Sequence, residues 1–317
     1  MPEADRGMKA HARRLAHSGD WIFAATRLGR DGMAIEIVRH RTDGTRVTTP
    51  SVAAPRMTYV HDFAATEQCA VFLLHAVAFA PLKFIVGLSS FAEALTWKPS
   101  LGNLLLTVDL ATGATRCFEA PPSWCWHIAN CFEHNDALVM DFVGYGDAGH
   151  FLGPRAQLAA IMQGRDGEFG QPGMLRRYVA NRASGTLEET VLCPEAAEFC
   201  STDPRTVGGP HARIFMAVGD PRAGGLVHSG VAAFDPKTAR LDRFDFGATT
   251  HAGEPVFAPR PGGRDNQGWL IVQLLETERQ ASAFAIMNAE ALADGPQAVV
   301  ELEQPHPLSF HGQWISP

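Results

Sequence analysis

The chain has 317 residues, with 27 Lys and Arg against 34 Asp and Glu and a net charge of −7. Apolar residues make up 46% of it, enough to bury a sizeable core, which excludes wholesale disorder. The mild acidity and the lack of a dense basic run argue against a nucleic-acid partner, and the Arg13-Arg14 cluster is too short to change that.

In chain order, turn residues recur at short intervals: Asp31-Gly32, Asp43-Gly44, Thr112-Gly113, Asp147 to Gly149, Gly208-Gly209-Pro210, Gly224-Gly225 and Pro261-Gly262-Gly263. Runs rich in β-branched and large apolar residues lie between them, at 34–38, 70–74, 104–108, 137–142, 214–218 and 269–275. With 30 Gly and 21 Pro, this is the texture of many short antiparallel strands. Residues 108–120 predict a hairpin about Thr112-Gly113, and residues 232–246 predict another, opened by Asp235-Pro236. Helical spacing is limited to residues 151–163 and to a single turn at 288–293. The expected class is all-β, as a sandwich, barrel or propeller, with no linker dividing the chain.

The most apolar stretch, residues 69–88, carries His75, Pro81 and Lys83, which suits a spanning helix poorly. It reads as a buried strand followed by an apolar loop; a loop touching a membrane or lining an apolar tunnel is the alternative. Six cysteines form no CxxC pair, and no charged-then-apolar leader opens the sequence, so a reduced, cytoplasmic protein is expected.

No phosphate loop, HExxH, GxSxG or cysteine-based zinc spacing is present. The chain is instead rich in histidine, 13 in all. An isolated His is usually a surface or satisfied core residue. Four have unusual surroundings. His61 follows an aromatic-apolar run and precedes Asp62-Phe63, His127 follows Trp124 and Trp126, His311 precedes Gly312 near the C-terminus, and His11 lies near Arg13-Arg14. One imidazole from each of several strands around an axis would give such long intervals.

The local strings resemble the carotenoid cleavage oxygenase family, which includes the lignostilbene dioxygenases and the retinal pigment epithelium isomerohydrolase. His61-Asp62-Phe63 with Thr66 is similar to the family's HDFxxT segment. Trp126-His127 with Asn130 and Glu133 resembles FHxxNxxE, with Trp for Phe. Glu198-Phe199-Cys200 with Asp203-Pro204-Arg205 resembles EFPxxDPR, with Cys for Pro. Glu254-Pro255-Val256-Phe257 with Pro259-Arg260-Pro261-Gly262 matches EPVFxPRPG, and Phe310-His311-Gly312 with Trp314 resembles the closing FHGxWxP, its Pro one place late at Pro317. Ala10-His11-Ala12-Arg13 stands where the family has AHPK, with His17 as a rival.

The resemblance implies a seven-bladed β-propeller, incomplete at its N-terminal side, because family members carry a substantial region before their first histidine and only ten residues precede His11. Residues 1–317 would form one such domain, and unpaired edges would favour poor solubility or self-association. The implied metal ligands are His11, His61, His127 and His311, holding ferrous iron, Fe(2+), with Glu198 and Glu254 behind them. The implied activity is dioxygenase cleavage of a conjugated C=C bond in a carotenoid, apocarotenoid or stilbene, giving two carbonyl products. Phe84, Phe91, Trp124 and Trp126 are the candidate substrate walls. The partners would be a small hydrophobic substrate and dioxygen, with peripheral membrane contact. The alternatives are an inactive remnant that keeps the fold, and a different propeller enzyme such as a metal-dependent lactone hydrolase, whose ligands include carboxylates.

Overall fold

A computed structural model describes residues 6–8, 11–29, 32–80, 86–153, 171–219 and 228–315, together with Leu82, Phe84 and Ala160. Five antiparallel sheets follow one another along the chain. The first contains β1 (Arg6–Met8), β2 (Arg13–Arg14), β3 (Trp21–Gly29), β4 (Gly32–His40) and β5 (Arg46–Ala53), with β1 and β2 both pairing with β3. The second is ordered β6 (Phe63–Ala65), β7 (Cys69–Leu74), β10 (Asn103–Asp109), β11 (Thr115–Ala120). Between its middle strands a separate two-stranded ribbon, β8 (Val77–Phe79) with β9 (Leu95–Trp97), is inserted.

The remaining three sheets are simple meanders. They comprise β12 (Trp124–His134), β13 (Ala137–Tyr145), β14 (Met174–Asn181) and β15 (Leu187–Cys193); then β16 (Ala197–Ser201), β17 (Ile214–Val218), β18 (Gly230–Asp235) and β19 (Arg240–Asp245); then β20 (Thr250–Pro259), β21 (Gly268–Glu276), β22 (Ala281–Asn288) and β23 (Pro296–Glu301).

Local chemistry explains the hairpins. Between β10 and β11, Asp109 Oδ1 accepts from the backbone N–H groups of Ala111 and Thr112, and Gly113 completes the turn at φ +73°. Only glycine takes that conformation without strain. Asp235 Oδ1 plays the same part between β18 and β19, accepting from Lys237 and Thr238.

Burial follows position. All six residues of β7 are buried, as expected of a continuous apolar run in a central strand, whereas β21 alternates buried with half-buried residues. Apolar clusters join each sheet to the next. Phe63 and Phe72 belong to the cluster between sheets one and two, Phe118 and Phe142 to that between two and three, Tyr145 and Ile214 to that between three and four, and Phe215 and Phe257 to that between four and five. Each fully buried phenylalanine contributes roughly 2 kcal/mol. Among the described residues no such cluster joins sheet five to sheet one. Among the described residues the sheets therefore form an open arc of five propeller blades, where the resemblance implies seven.

The opening strands β6, β12, β16 and β20 touch one another in succession and line the axis of the arc. Where a single turn is expected at 288–293, β22 ends at Asn288, Ala291 N–H donates to the Asn288 carbonyl, and a 3-10 turn follows at Leu292–Asp294. Most of the expected helical segment 151–163 lies outside the described residues. Of the apolar stretch 69–88, the strand is buried, but Leu82, Val86 and Leu88 are exposed, by 73%, 55% and 78%. Among the described residues no helix is long and apolar enough to cross a membrane. All six cysteines are free thiols.

Candidate metal centre

The axial strands bring distant residues together by one rule. His11 precedes β2, His61 precedes β6, His127 lies in β12, Glu198 in β16 and Glu254 in β20, while His311 returns to the axis after the last sheet. Their candidate ligand nitrogens, one from each of His11, His61, His127 and His311, all lie within 4.8 Å of one another. Nitrogens about 2.1 Å from a common ion can be at most ~4.2 Å apart, so the cluster lies within about an ångström per ring of ligating distance. His17, the rival to His11, is exposed and outside the cluster.

The orientation of the rings is informative. Nε2 of His127 lies 3.3 Å from Nε2 of His311, so both rings turn that nitrogen inward. His127 Nδ1 hydrogen-bonds Glu198 Oε2, which also accepts from the Phe199 backbone N–H at 2.5 Å. His311 Nδ1 lies 3.4 Å from Glu254 Oε1, and the other oxygen of Glu254 accepts from Gly312 N–H at 2.7 Å. His61 Nδ1 meets the hydroxyl of Tyr59 at 2.9 Å. His11 Nε2 is buried without a hydrogen-bond partner. A buried, unpaired imidazole nitrogen facing three other imidazoles fits a cation and little else.

Burial favours the neutral form of two of these rings. It lowers the pKa of His11, and it takes His61 down to about 4 with help from the neighbouring His127. For His127 burial acts in the same direction, but the charge of Glu198 and the hydrogen bond to it outweigh burial, and its pKa is raised. Metal ligands need neutral imidazole with the outer nitrogen held, which is what a partnering carboxylate supplies.

A second tier fixes the backbone. Arg13 donates to Asp62 Oδ2 at 2.6 Å, to the Phe63 carbonyl at 2.7 Å and to the Ile128 carbonyl at 3.0 Å. Asp62 accepts in turn from Phe63 N–H and Ile128 N–H. Thr66 donates to Glu133, which is also paired with Arg182 at 2.6 Å. Asn130 donates to the carbonyls of Thr206 and Gly209 and accepts from Gly208 N–H. Arg205 pairs with Asp203 and donates to the Gly263 and Arg264 carbonyls. The string-bearing segments are thus wired to one another across sheets. Phe199 sits at φ +53°, an uncommon conformation for an aromatic residue, with its ring stacked on His127 at 5.1 Å.

Beside His61 the four candidate wall residues fall in one aromatic group. Trp126 meets His61 edge-on at 4.9 Å and Trp124 at 5.2 Å. Tyr59 links both to Phe91, and Phe91 meets Phe84 at 5.8 Å. Trp124 is fully buried and backs this layer, while Phe84 lies at its exposed end. Sequence reading missed Tyr59, Phe79, Phe151 and His150. Phe79 packs on Phe91, Phe151 packs on Trp126, and His150 Nε2 accepts from the Trp126 indole at 2.7 Å. The position of Tyr59 two residues before His61 was the available signal.

Comparison with known proteins agrees with this geometry. The chain is 25% identical over 261 residues to an apocarotenoid-15,15'-oxygenase of Synechocystis sp., a match covering 82% of this chain and 52% of the relative. It is 23% identical to resveratrol cleavage oxygenase 1 of Chaetomium globosum, covering 96% of this chain and 61% of that one. Cobalt-substituted Synechocystis ACO superposes with a TM-score of 0.84 at 22% identity, covering 95% of this chain and 64% of that one. The chain thus spans between about half and two thirds of the length of these relatives. The model of the retinal pigment epithelial membrane protein family matches residues 3–316, so the chain belongs to that family, the one that includes carotenoid-cleaving oxygenases.

Proposed function

We propose that this protein is an Fe(II)-dependent dioxygenase that cleaves a conjugated C=C bond of a carotenoid, apocarotenoid or stilbene-type substrate. The observation that carries the proposal is the convergence of His11, His61, His127 and His311, with carboxylates behind two of them. Imidazole alone suits several first-row metals. The choice of iron rests on the family, and the substrate class on the named activities of the relatives.

When bound, ferrous iron would supply the activation of dioxygen, whose triplet ground state reacts slowly with closed-shell alkenes. The four histidines would hold the ion and leave coordination positions open. Glu198 and Glu254 would keep the His127 and His311 rings aimed inward. Trp126, Phe91 and Phe84 would bind a planar conjugated chain beside His61 and exclude water from it. Both atoms of dioxygen would end in the two carbonyl products. The whole chain would act as one propeller-type domain, a reading supported by the unbroken series of inter-sheet clusters. Exposed Leu82, Val86 and Leu88 beside Phe84 support peripheral contact with a membrane, from which an apolar substrate could enter.

Anaerobic reconstitution tests the proposal. The chain should retain close to one iron, His127→Ala should retain none while keeping its fold, and adding oxygen should split a polyene or stilbene into two carbonyl fragments. Equal iron in the wild type and His127→Ala would overturn the ligand assignment. A second reading, a remnant that binds metal without turnover, is favoured by the open arc between sheets five and one. Iron retention with no cleavage across polyenes and stilbenes would select it.

A further inference from the structure

Trp126 stands between His61, which it meets edge-on at 4.9 Å, and Phe151 at 4.8 Å, so the direction of its indole decides the shape of the space beside the metal centre. We propose that His150 is a positioning residue for the substrate, its Nε2 accepting the Trp126 N–H and so fixing the aromatic wall next to His61. This rests on the reading of the aromatic layer as the substrate wall and adds to it the group that sets the wall's orientation.

The strand does not fix that direction. β12 changes register against β13 between Cys125 and Ile128, so the alternation of side chains breaks at Trp126 itself. The indole N–H can only donate, and it donates to His150 Nε2 at 2.7 Å. The segment that this stretch resembles has Phe at this place, which calls for no acceptor; the Trp here does.

His150 is committed to this one bond. Because Nε2 accepts, the neutral ring carries its proton on Nδ1. That nitrogen is buried without a hydrogen-bond partner among the described residues, in a side chain whose residue is only 1% exposed. An unpaired buried N–H is unfavourable, so an apolar residue would pack here at lower cost. What the imidazole adds is the acceptor for Trp126. Burial takes its pKa down to about 4, which keeps Nε2 free to accept at neutral pH. The ring is itself held, stacked on Tyr145 at 4.3 Å, and Tyr145 is the register partner of Trp124 across β12 and β13. The donor is in β12 and the acceptor rests on the end of β13, so two adjacent strands fix the pair.

The test is run on the iron-loaded chain without oxygen. The probes are trans-stilbene and diphenylhexatriene, both planar and conjugated, with binding read by their fluorescence. The ultraviolet resonance Raman band of the indole N–H reports the hydrogen bond. His150→Leu keeps the bulk and removes the acceptor. It should weaken probe binding about fivefold, the weight of one ordinary hydrogen bond, and shift the indole band, with iron content unchanged. His150→Gln, whose amide oxygen can accept the same N–H, should restore most of both. In a Trp126→Phe background His150→Leu should add nothing, because its effect passes through the indole. Wild-type probe binding or an unmoved indole band in His150→Leu would overturn the proposal. So would equal losses in His150→Leu and His150→Gln, or an equal loss with and without Trp126. If the wild type binds neither probe, the substrate-wall reading falls and this inference falls with it.

Discussion

The guanidinium of Arg13 lies 2.6 Å from the carboxylate of Asp62, and through this pair three histidine-bearing segments are held in one register. Arg13 stands two residues after His11, Asp62 follows His61, and the Ile128 groups that both side chains engage follow His127. Burial alone would raise the Asp62 pKa, but Arg13 and the surrounding donors win and hold it down at about 2. Asp62→Ala should therefore cost about 3 kcal/mol in urea unfolding, because it leaves a half-buried guanidinium without its carboxylate and frees the Phe63 and Ile128 N–H groups. It should also lower iron content. A loss below about 1 kcal/mol would mean the pair is solvated in practice.

Glu198 and Glu254 should differ in weight. Glu198 is buried and hydrogen-bonded to His127, whereas the His311 side chain is 29% exposed and its contact with Glu254 is 3.4 Å. Glu198→Gln should weaken metal binding near the upper end of the usual 10–100-fold range, and Glu254→Gln near the lower end. Chelator competition measures both, and the reverse order would contradict the geometry.

Acid should destabilise the fold through a histidine that binds no metal. Burial takes the His75 pKa down to about 4, and only the neutral ring can both donate to the Tyr59 carbonyl and accept from Cys125 N–H. An unfolded histidine titrates near 6.5. The folded value is the lower one, so this stabilisation is complete above about pH 6.5 and is lost as pH falls toward 4, amounting to roughly 3 kcal/mol at most. His150 and His228, also brought down to about 4 by burial, add with the same sign. Urea midpoints should fall between pH 7 and pH 4.5, and His75→Gln should flatten that slope by close to one proton.

Trp126 should separate binding from metal retention. It borders His61 but has no place among the candidate ligands. Trp126→Ala should raise KM for a planar conjugated substrate about tenfold, by loss of aromatic contact, with iron content unchanged. Loss of iron in this variant would show that the indole supports the ring of His61 instead.

Much of the architecture was legible because strands here are short apolar runs bounded by turn residues. The run 214–218 coincides with β17 end to end, and both predicted hairpins formed. The four histidines were legible through their local strings. What escaped was tertiary. Tyr59 and Phe151 matter only because the chain folds them against Trp126. β12 carries register shifts between Cys125 and Asn130, so simple alternation does not tell which way Trp126 and His127 point. Positive φ at Phe199 runs against the preference of aromatic residues and has no sequence signal.

The open arc has a mechanical consequence. His11 leads into the first sheet and His311 trails the last, yet their rings lie 4.4 Å apart. An ion gripped by both would tether residues 11 and 311 across all five sheets, a long closed loop whose closure removes entropy from the unfolded state. Melting temperature should then climb with free metal concentration, and the cofactor would serve as the buckle of its own housing.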